Sequence, residues 1–129
     1  MFRAVFVLGT LVLLLSGCGG SSNGLYVVGA GGGKAKRVAS GCIGEFAWSP
    51  DGDRIAFTRN ELGFGSLHVV DAGTGETRQL AKGVHGGLSW RDGRLSAIRS
   101  GARTPTQVVV YDDEGERSVV ACGPLAGFE

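Results

Sequence analysis

Short apolar runs alternate with glycine-rich turns along the chain, and no segment after the first fifteen residues carries a helical period. Phe46-Ala47-Trp48 is a short apolar strand. Ser49-Pro50-Asp51-Gly52 is a turn, because proline presets φ and the Asp-Gly pair tolerates the closing conformations. Arg54 to Arg59 alternates and is rich in strand formers. Asn60 to Ser66 reads as a loop with two glycines, Leu67 to Asp71 as a strand, Ala72-Gly73-Thr74-Gly75 as a turn and Glu76 to Ala81 as a closing strand. Val27-Val28, Val69-Val70 and Val108-Val109-Val110 are apolar on both faces, which suits sheets packed between two neighbours.

The pattern repeats. Leu25 to Trp48 aligns with Leu67 to Trp90 at an offset of 42 residues, with ten of 24 positions identical, among them Leu25, Val27, Val28, Gly41, Gly44 and Trp48. Chance would supply roughly two. A period in the forties in an all-β sequence predicts the blades of a β-propeller. Residues 25–39 supply the last two strands of a first blade, 46–81 a complete second blade and 88–121 a third; Phe128 falls where Phe46 and Leu88 begin their inner strands. The predicted fold over 25–129 is therefore a partial propeller of about two and a half four-stranded antiparallel blades. The third blade has Arg91 where Ser-Pro is expected, so its first turn differs.

The N-terminus follows another logic. Met1 to Ala4 carries one positive charge, Arg3, and Val5 to Leu15 is an eleven-residue apolar run. That is too short for the ~20 residues of a spanning helix and suits the h-region of a signal peptide. Leu15-Ser16-Gly17-Cys18 resembles the lipobox of bacterial lipoproteins. The resemblance implies cleavage between Gly17 and Cys18, diacylation of the Cys18 thiol and anchorage on the extracytoplasmic side of a bacterial membrane. Each buried CH₂ adds ~0.8 kcal/mol to such anchoring. Residues 1–17 are thus expected outside the fold, and 18–24, rich in Gly and Ser, read as a flexible tether.

Composition removes several functions. Thirteen basic and twelve acidic side chains leave a net charge of +1, which supplies no basic face for nucleic acid. Three cysteines are too few for a disulfide-dense scaffold. Cys42 and Cys122 fall in analogous loops with a whole blade between them. A bridge needs Cα atoms within about 7 Å, so no intramolecular bridge between this pair is expected; free thiols or pairing with another chain stay open.

Phe46 to Phe57 (Phe-Ala-Trp-Ser-Pro-Asp-Gly-Asp-Arg-Ile-Ala-Phe) resembles the signature of TolB-type propeller repeats, and Leu67 to Leu80 resembles the outer hairpin that follows it. The resemblance covers residues 25–121. It implies blades of the kind found in periplasmic binding proteins, in lipoproteins and beside the catalytic domain of some peptidases. The repeat motif is structural, and no catalytic residue transfers from it.

Candidate chemistry is sparse. Trp48 and Trp90 occupy equivalent positions, which favours packing between blades over an aromatic binding surface. Pro50, Asp51 and Gly52, with Asp92 and Gly93, read as turn formers whose carboxylates hold backbone N–H groups. His68 lies in an outer strand and His85 in a loop between blades, neither with ligand spacing to Cys or another His, so no metal or cofactor is expected. Gly20-Ser21-Ser22-Asn23-Gly24 fits G-x-S-x-G but lacks the strand and helix that motif needs. Gly29 to Lys34 fails as a phosphate loop, having Val28 at the first glycine position and Ala35 in place of Ser or Thr.

The expected function is a lipid-anchored, non-catalytic propeller module that binds a protein partner or itself. The alternatives are the N-terminal propeller part of a larger peptidase-like protein, or a truncated fragment without a function of its own. Two complete blades and a half leave blade faces uncovered, which predicts oligomeric closure, further sequence or marginal stability.

Overall fold

The computed structural model describes the backbone of residues 2–7, 10–15, 24–29, 33–101 and 103–122. All regular structure in it is strand, in three four-stranded antiparallel sheets. The first sheet holds β1 (Phe2–Val7), β2 (Thr10–Leu15), β3 (Gly24–Gly29) and β4 (Lys36–Ser40). The second holds β5 (Cys42–Trp48), β6 (Arg54–Glu61), β7 (Phe64–Asp71) and β8 (Thr77–Lys82). The third holds β9 (Val84–Arg91), β10 (Arg94–Gly101), β11 (Thr104–Tyr111) and β12 (Arg117–Cys122). Each sheet is a meander in chain order, the layout of a propeller blade.

Two differences from the sequence reading stand out. Residues 1–17 were expected outside the fold, yet β2 pairs with β3 from Leu15↔Gly24 to Thr10↔Gly29, and β1 pairs with β2. The first blade thus has four strands rather than two. The physical reason is that a Val-, Phe- and Leu-rich run serves a strand pair as readily as a leader. Asn60 to Ser66 was read as a loop, but the strands run to Glu61 and from Phe64, joined by the two-residue turn Leu62-Gly63. Leu62 at φ 51° and Gly63 at φ 84° give the left-handed pair that matches strand twist.

Side-chain alternation divides the second sheet between two cores. Ile55, Phe57 and Val70, with Trp48 and Ile43, pack against Leu25, Val38 and Ala39 of the first sheet. Ala56, Leu67 and Val69 pack against Leu95, Ala97, Val109 and Tyr111 of the third. Each fully buried Leu, Val or Phe contributes roughly 1.5–3 kcal/mol, so the two interfaces carry the fold.

Successive sheets are joined by a single residue, Gly41 between β4 and β5 and Gly83 between β8 and β9. Both adopt a left-handed φ, 105° and 109°, which only glycine takes without strain. The meander creates two rims. One carries the turns at 49–53, 72–76, 92–93 and 112–116. The opposite rim carries Leu62-Gly63, the connection from β10 to β11 and the two glycine crossings.

Candidate functional site

The expected turn residues lie together on the first rim. The Ser49 hydroxyl donates to the Asp51 carboxylate and accepts from Arg54 N–H, while Asp51 also accepts from Asp53 N–H at 3.0 Å. Ser49 is buried and Pro50 exposed, and Gly52 takes φ 79°. The Ser49 hydrogen bond, then the Asp53 N–H, hold the Asp51 carboxyl below the ordinary range. Asp71 is lowered in the same way by Thr74 and Gly73 N–H. The third blade builds this turn differently. Arg91 pairs with Arg94 across Asp92 and Gly93, at φ 50° and 73°, a two-residue hairpin in place of the Ser-Pro-Asp-Gly-Asp loop. Gly17 and Cys18 lie outside the described residues.

Trp48 is buried in the core between the first and second sheets, and Trp90 packs against the core between the second and third. Arg54 bridges the second joint: its guanidinium carbon lies 4.9 Å from the Trp90 ring centroid and its Nη2 lies 3.1 Å from Asp113 Oδ1. Glu45 accepts from Gly87 N–H at 3.1 Å, from one inner strand to the next. Lys36 Nζ donates to the Gly73 carbonyl at 3.0 Å, and Arg78 Nη2 donates to the Asp113 carbonyl at 3.4 Å. Lys36 and Arg78 are 42 residues apart, so both joints use one clasp: a cation of the fourth strand bonding a turn of the next sheet.

Both histidines are buried, and His85 belongs to β9 rather than to a loop. The Gly83 carbonyl, 3.0 Å from His85 Nδ1, can only accept, so Nδ1 donates and Nε2 accepts from the Tyr111 hydroxyl at 2.8 Å. Burial holds the imidazole pKa low, against the opposing pull of Gly83. His68 stacks on Phe57 with centroids 5.3 Å apart, and its Nε2 lies 2.7 Å from Ser66 Oγ. This pair has the spacing of a nucleophile and base, and S-x-H within a strand is the signal that could have found it. Ser66 gives its hydroxyl hydrogen to the Arg59 carbonyl at 3.3 Å, so His68 Nε2 donates and its buried Nδ1 has no partner among the described residues. Burial, then Arg59, keeps its pKa low. Among the described residues no acid orients this pair, and His68 is packed against Phe57 in the joint.

Cys42, at the start of β5, is disulfide-bonded, which removes the free-thiol alternative for this residue; its partner lies outside the described residues. Cys122 is a free, exposed thiol, so the two do not bridge, as the blade geometry required.

A recess of about 680 Å³ lies on the outer face of the third sheet, lined by Ser96, Val110, Ser118 and Val120 together with Arg94 and Asp112. Pairing of Trp48 with Ile55 and of Trp90 with Leu95 fixes the equivalence of the two sheets. Leu67, Val69 and Leu80, which face the third sheet, correspond to Val108, Val110 and Val120. Leu67 is fully buried, whereas Val120 is 65% exposed and Val108 39%. Sequence reasoning anticipated uncovered blade faces but not which residues would form them.

No protein-family model matches the chain, and no curated protein is similar to it. Solved structures are. The β-propeller domain of the Trilobed protease from Pyrococcus furiosus, described as having an open velcro topology, superposes with a TM-score of 0.72 at 16% identity over 97% of this chain and 44% of that one. An oligogalacturonate lyase in complex with manganese gives 0.69 at 17% identity, over 92% and 34%. An acylaminoacyl peptidase in complex with Z-Gly-Gly-Phe-chloromethyl ketone gives 0.69 at 19% identity, over 92% and 24%. This chain spans from a quarter to under half the length of those structures. At such identity the likeness is one of fold, and with the three stacked meanders it makes this chain a partial β-propeller.

Proposed function

We propose that the chain is a TolB-type, lipid-anchored, extracytoplasmic propeller module that binds protein and is not itself catalytic. The anchor reading rests on the leader layout and the Leu-Ser-Gly-Cys motif ending at Cys18. It requires that β1 and β2, which precede the cleavage point, leave the first sheet on processing, and that the Cys18 thiol carries lipid rather than the Cys42 disulfide. One observation carries the binding reading. The outer face of the third sheet keeps branched apolar residues at Val108 and Val120, where the second sheet uses Leu67 and Leu80 to hold a neighbour. A face built on the same positions as a closed joint is suited to another protein surface.

Size-exclusion chromatography with light scattering on the full chain in mild detergent tests this. The expected result is a species heavier than the monomer. Val108→Glu with Val120→Glu reduces it to monomer without changing the circular dichroism. A monodisperse wild-type monomer with no bound protein would overturn the reading.

A second reading is favoured by the neighbours, which include a protease propeller domain and a peptidase. Here the blades are part of a longer peptidase-like protein. The intact mass of the native protein separates the two, since the second requires a mass well above 13.3 kDa.

A further inference from the structure

The rim opposite the acidic turns carries an apolar tip that the fold does not use. Leu62 is 98% exposed and Phe64 78%, on either side of Gly63, and Val84 is 60% exposed. Gly83 N–H bonds the Gly65 carbonyl at 2.9 Å, and a Cβ on Gly65 would meet the Val84 backbone, so Val84 adjoins the Phe64 strand end. Exposed Lys82 and Glu61 line the same depression as Leu62 and Phe64; Glu61 is paired with Arg59 at 3.0 Å, and Arg103 is exposed on the neighbouring turn of this rim.

The residue choice at the tip runs against local conformation. Leu62 has φ 51°, in a two-residue turn that favours Asn, Asp or Gly. Another two-residue turn of this left-handed type, between β9 and β10 on the other rim, uses Asp92-Gly93. A fully exposed leucine in a left-handed conformation serves neither the turn nor the core.

The chain's route supplies the occupant. Gly24 pairs with Ser40, at the strand ends of this same rim. Cys18 lies six residues before Gly24, so its sulfur is within about 20 Å of the rim along any path of the chain. The opposite rim is a strand length of about 25 Å farther away.

We propose that this rim rests on the membrane, with Leu62, Phe64 and Val84 entering the headgroup region and Lys82 and Arg103 meeting anionic lipid. The inference rests on the lipid-anchor reading for its orientation. Apolar residues flanked by basic ones bind the bilayer surface through buried area plus attraction to negative headgroups. Anchor and rim then act as two weak attachments on one body, which fixes how the propeller stands.

The test places a tryptophan on each rim of the full chain, Phe64→Trp in one variant and Glu114→Trp in the other, with wild-type emission subtracted. Each is mixed with phosphatidylcholine–phosphatidylglycerol vesicles that contain brominated acyl chains. The expected result is that the Phe64→Trp signal falls at least twofold while the Glu114→Trp signal does not change. Lys82→Glu with Arg103→Glu should restore most of the lost signal. Vesicle-bound protein whose Phe64→Trp signal is unquenched, equal quenching on both rims, or no vesicle association would each overturn the proposal. The mass of the Cys18 peptide reports on the anchor separately. A lipidated Cys18 with an unquenched rim refutes the rim alone, and quenching of an unlipidated chain refutes the anchor alone.

Discussion

Arg54 of the second sheet lies over the Trp90 ring of the third at 4.9 Å while its Nη2 pairs with Asp113 at 3.1 Å, so one side chain joins two sheets by two different interactions. The cation–π contact contributes about 0.5–1 kcal/mol and the partly exposed ion pair about 0.2–1 kcal/mol. Arg54→Ala is expected to destabilise by about 1–2 kcal/mol and lower the thermal midpoint by several degrees. Arg54→Lys, which keeps the charge but not the planar group, should lose roughly half of that. An unchanged midpoint in Arg54→Ala would show that the joint does not depend on this contact.

Tyr111→Phe is expected to cost about 1–2 kcal/mol, because the His85 Nε2 lone pair would be left buried and unpaired. Urea denaturation followed by tryptophan fluorescence measures it. A loss below a few tenths of a kcal/mol would mean that the bond is replaced.

Stability should also fall with acid. His68 and His85 both have folded-state pKa values below the ordinary 6.5, with burial as the main cause. The unfolded chain therefore takes up protons first. Their stabilising effect is complete above about pH 6.5 and is lost as pH falls from there through the folded-state values. The urea midpoint should be flat from pH 8 to 7 and decline toward pH 5. A midpoint constant down to pH 5 would contradict the buried, neutral assignment. Asp51 and Asp71, lowered by their turn hydrogen bonds, add a further loss only below about pH 4.

Alkylation separates the cysteines. In the native and denatured but unreduced chain, Cys122 alone of the described cysteines should react, and Cys42 should react only after reduction. Labelling of Cys42 without reductant would remove the disulfide. The anchor proposal adds a stricter condition, since a thioether and a disulfide need the same sulfur. A Cys18–Cys42 disulfide peptide recovered from membrane-bound protein would refute lipidation, whereas an acylated Cys18 peptide would support it.

Leu62→Gly should stabilise the fold by about 0.5–1 kcal/mol, because glycine takes φ 51° without the Cβ clash. The thermal midpoint would rise while vesicle binding weakens. A lower midpoint would mean that Leu62 makes contacts that outweigh its conformational strain.

The blades were legible because their signals are local. Trp48 and Trp90 mark the repeat by spacing, and Ser49 to Gly52 is a turn by its own chemistry, so both survive without tertiary information. Other features were not. Arg54 and Asp113 are 59 residues apart and meet only when two blades stack. The Ser66–His68 contact depends on i, i+2 alternation in a strand that periodicity had started one residue later. The Val5 to Leu15 run satisfies the composition of a leader and of paired strands alike, so its register against β3 could not be read from its sequence. Cys42 shows no spacing signal at all, since pairing of cysteines is set by the fold.

The clasp at the two joints has a direction. Lys36 and Arg78 each reach forward to the next sheet, but the same position in the third sheet is Ser118, which cannot. Duplicating one 42-residue unit between the first and second sheets would carry its own cation along and make a new joint without inventing an interface. Adding a unit after the third would not, because Ser118 is too short to reach a neighbouring turn. One column of residues thus decides where a further blade could be inserted with its joint ready-made.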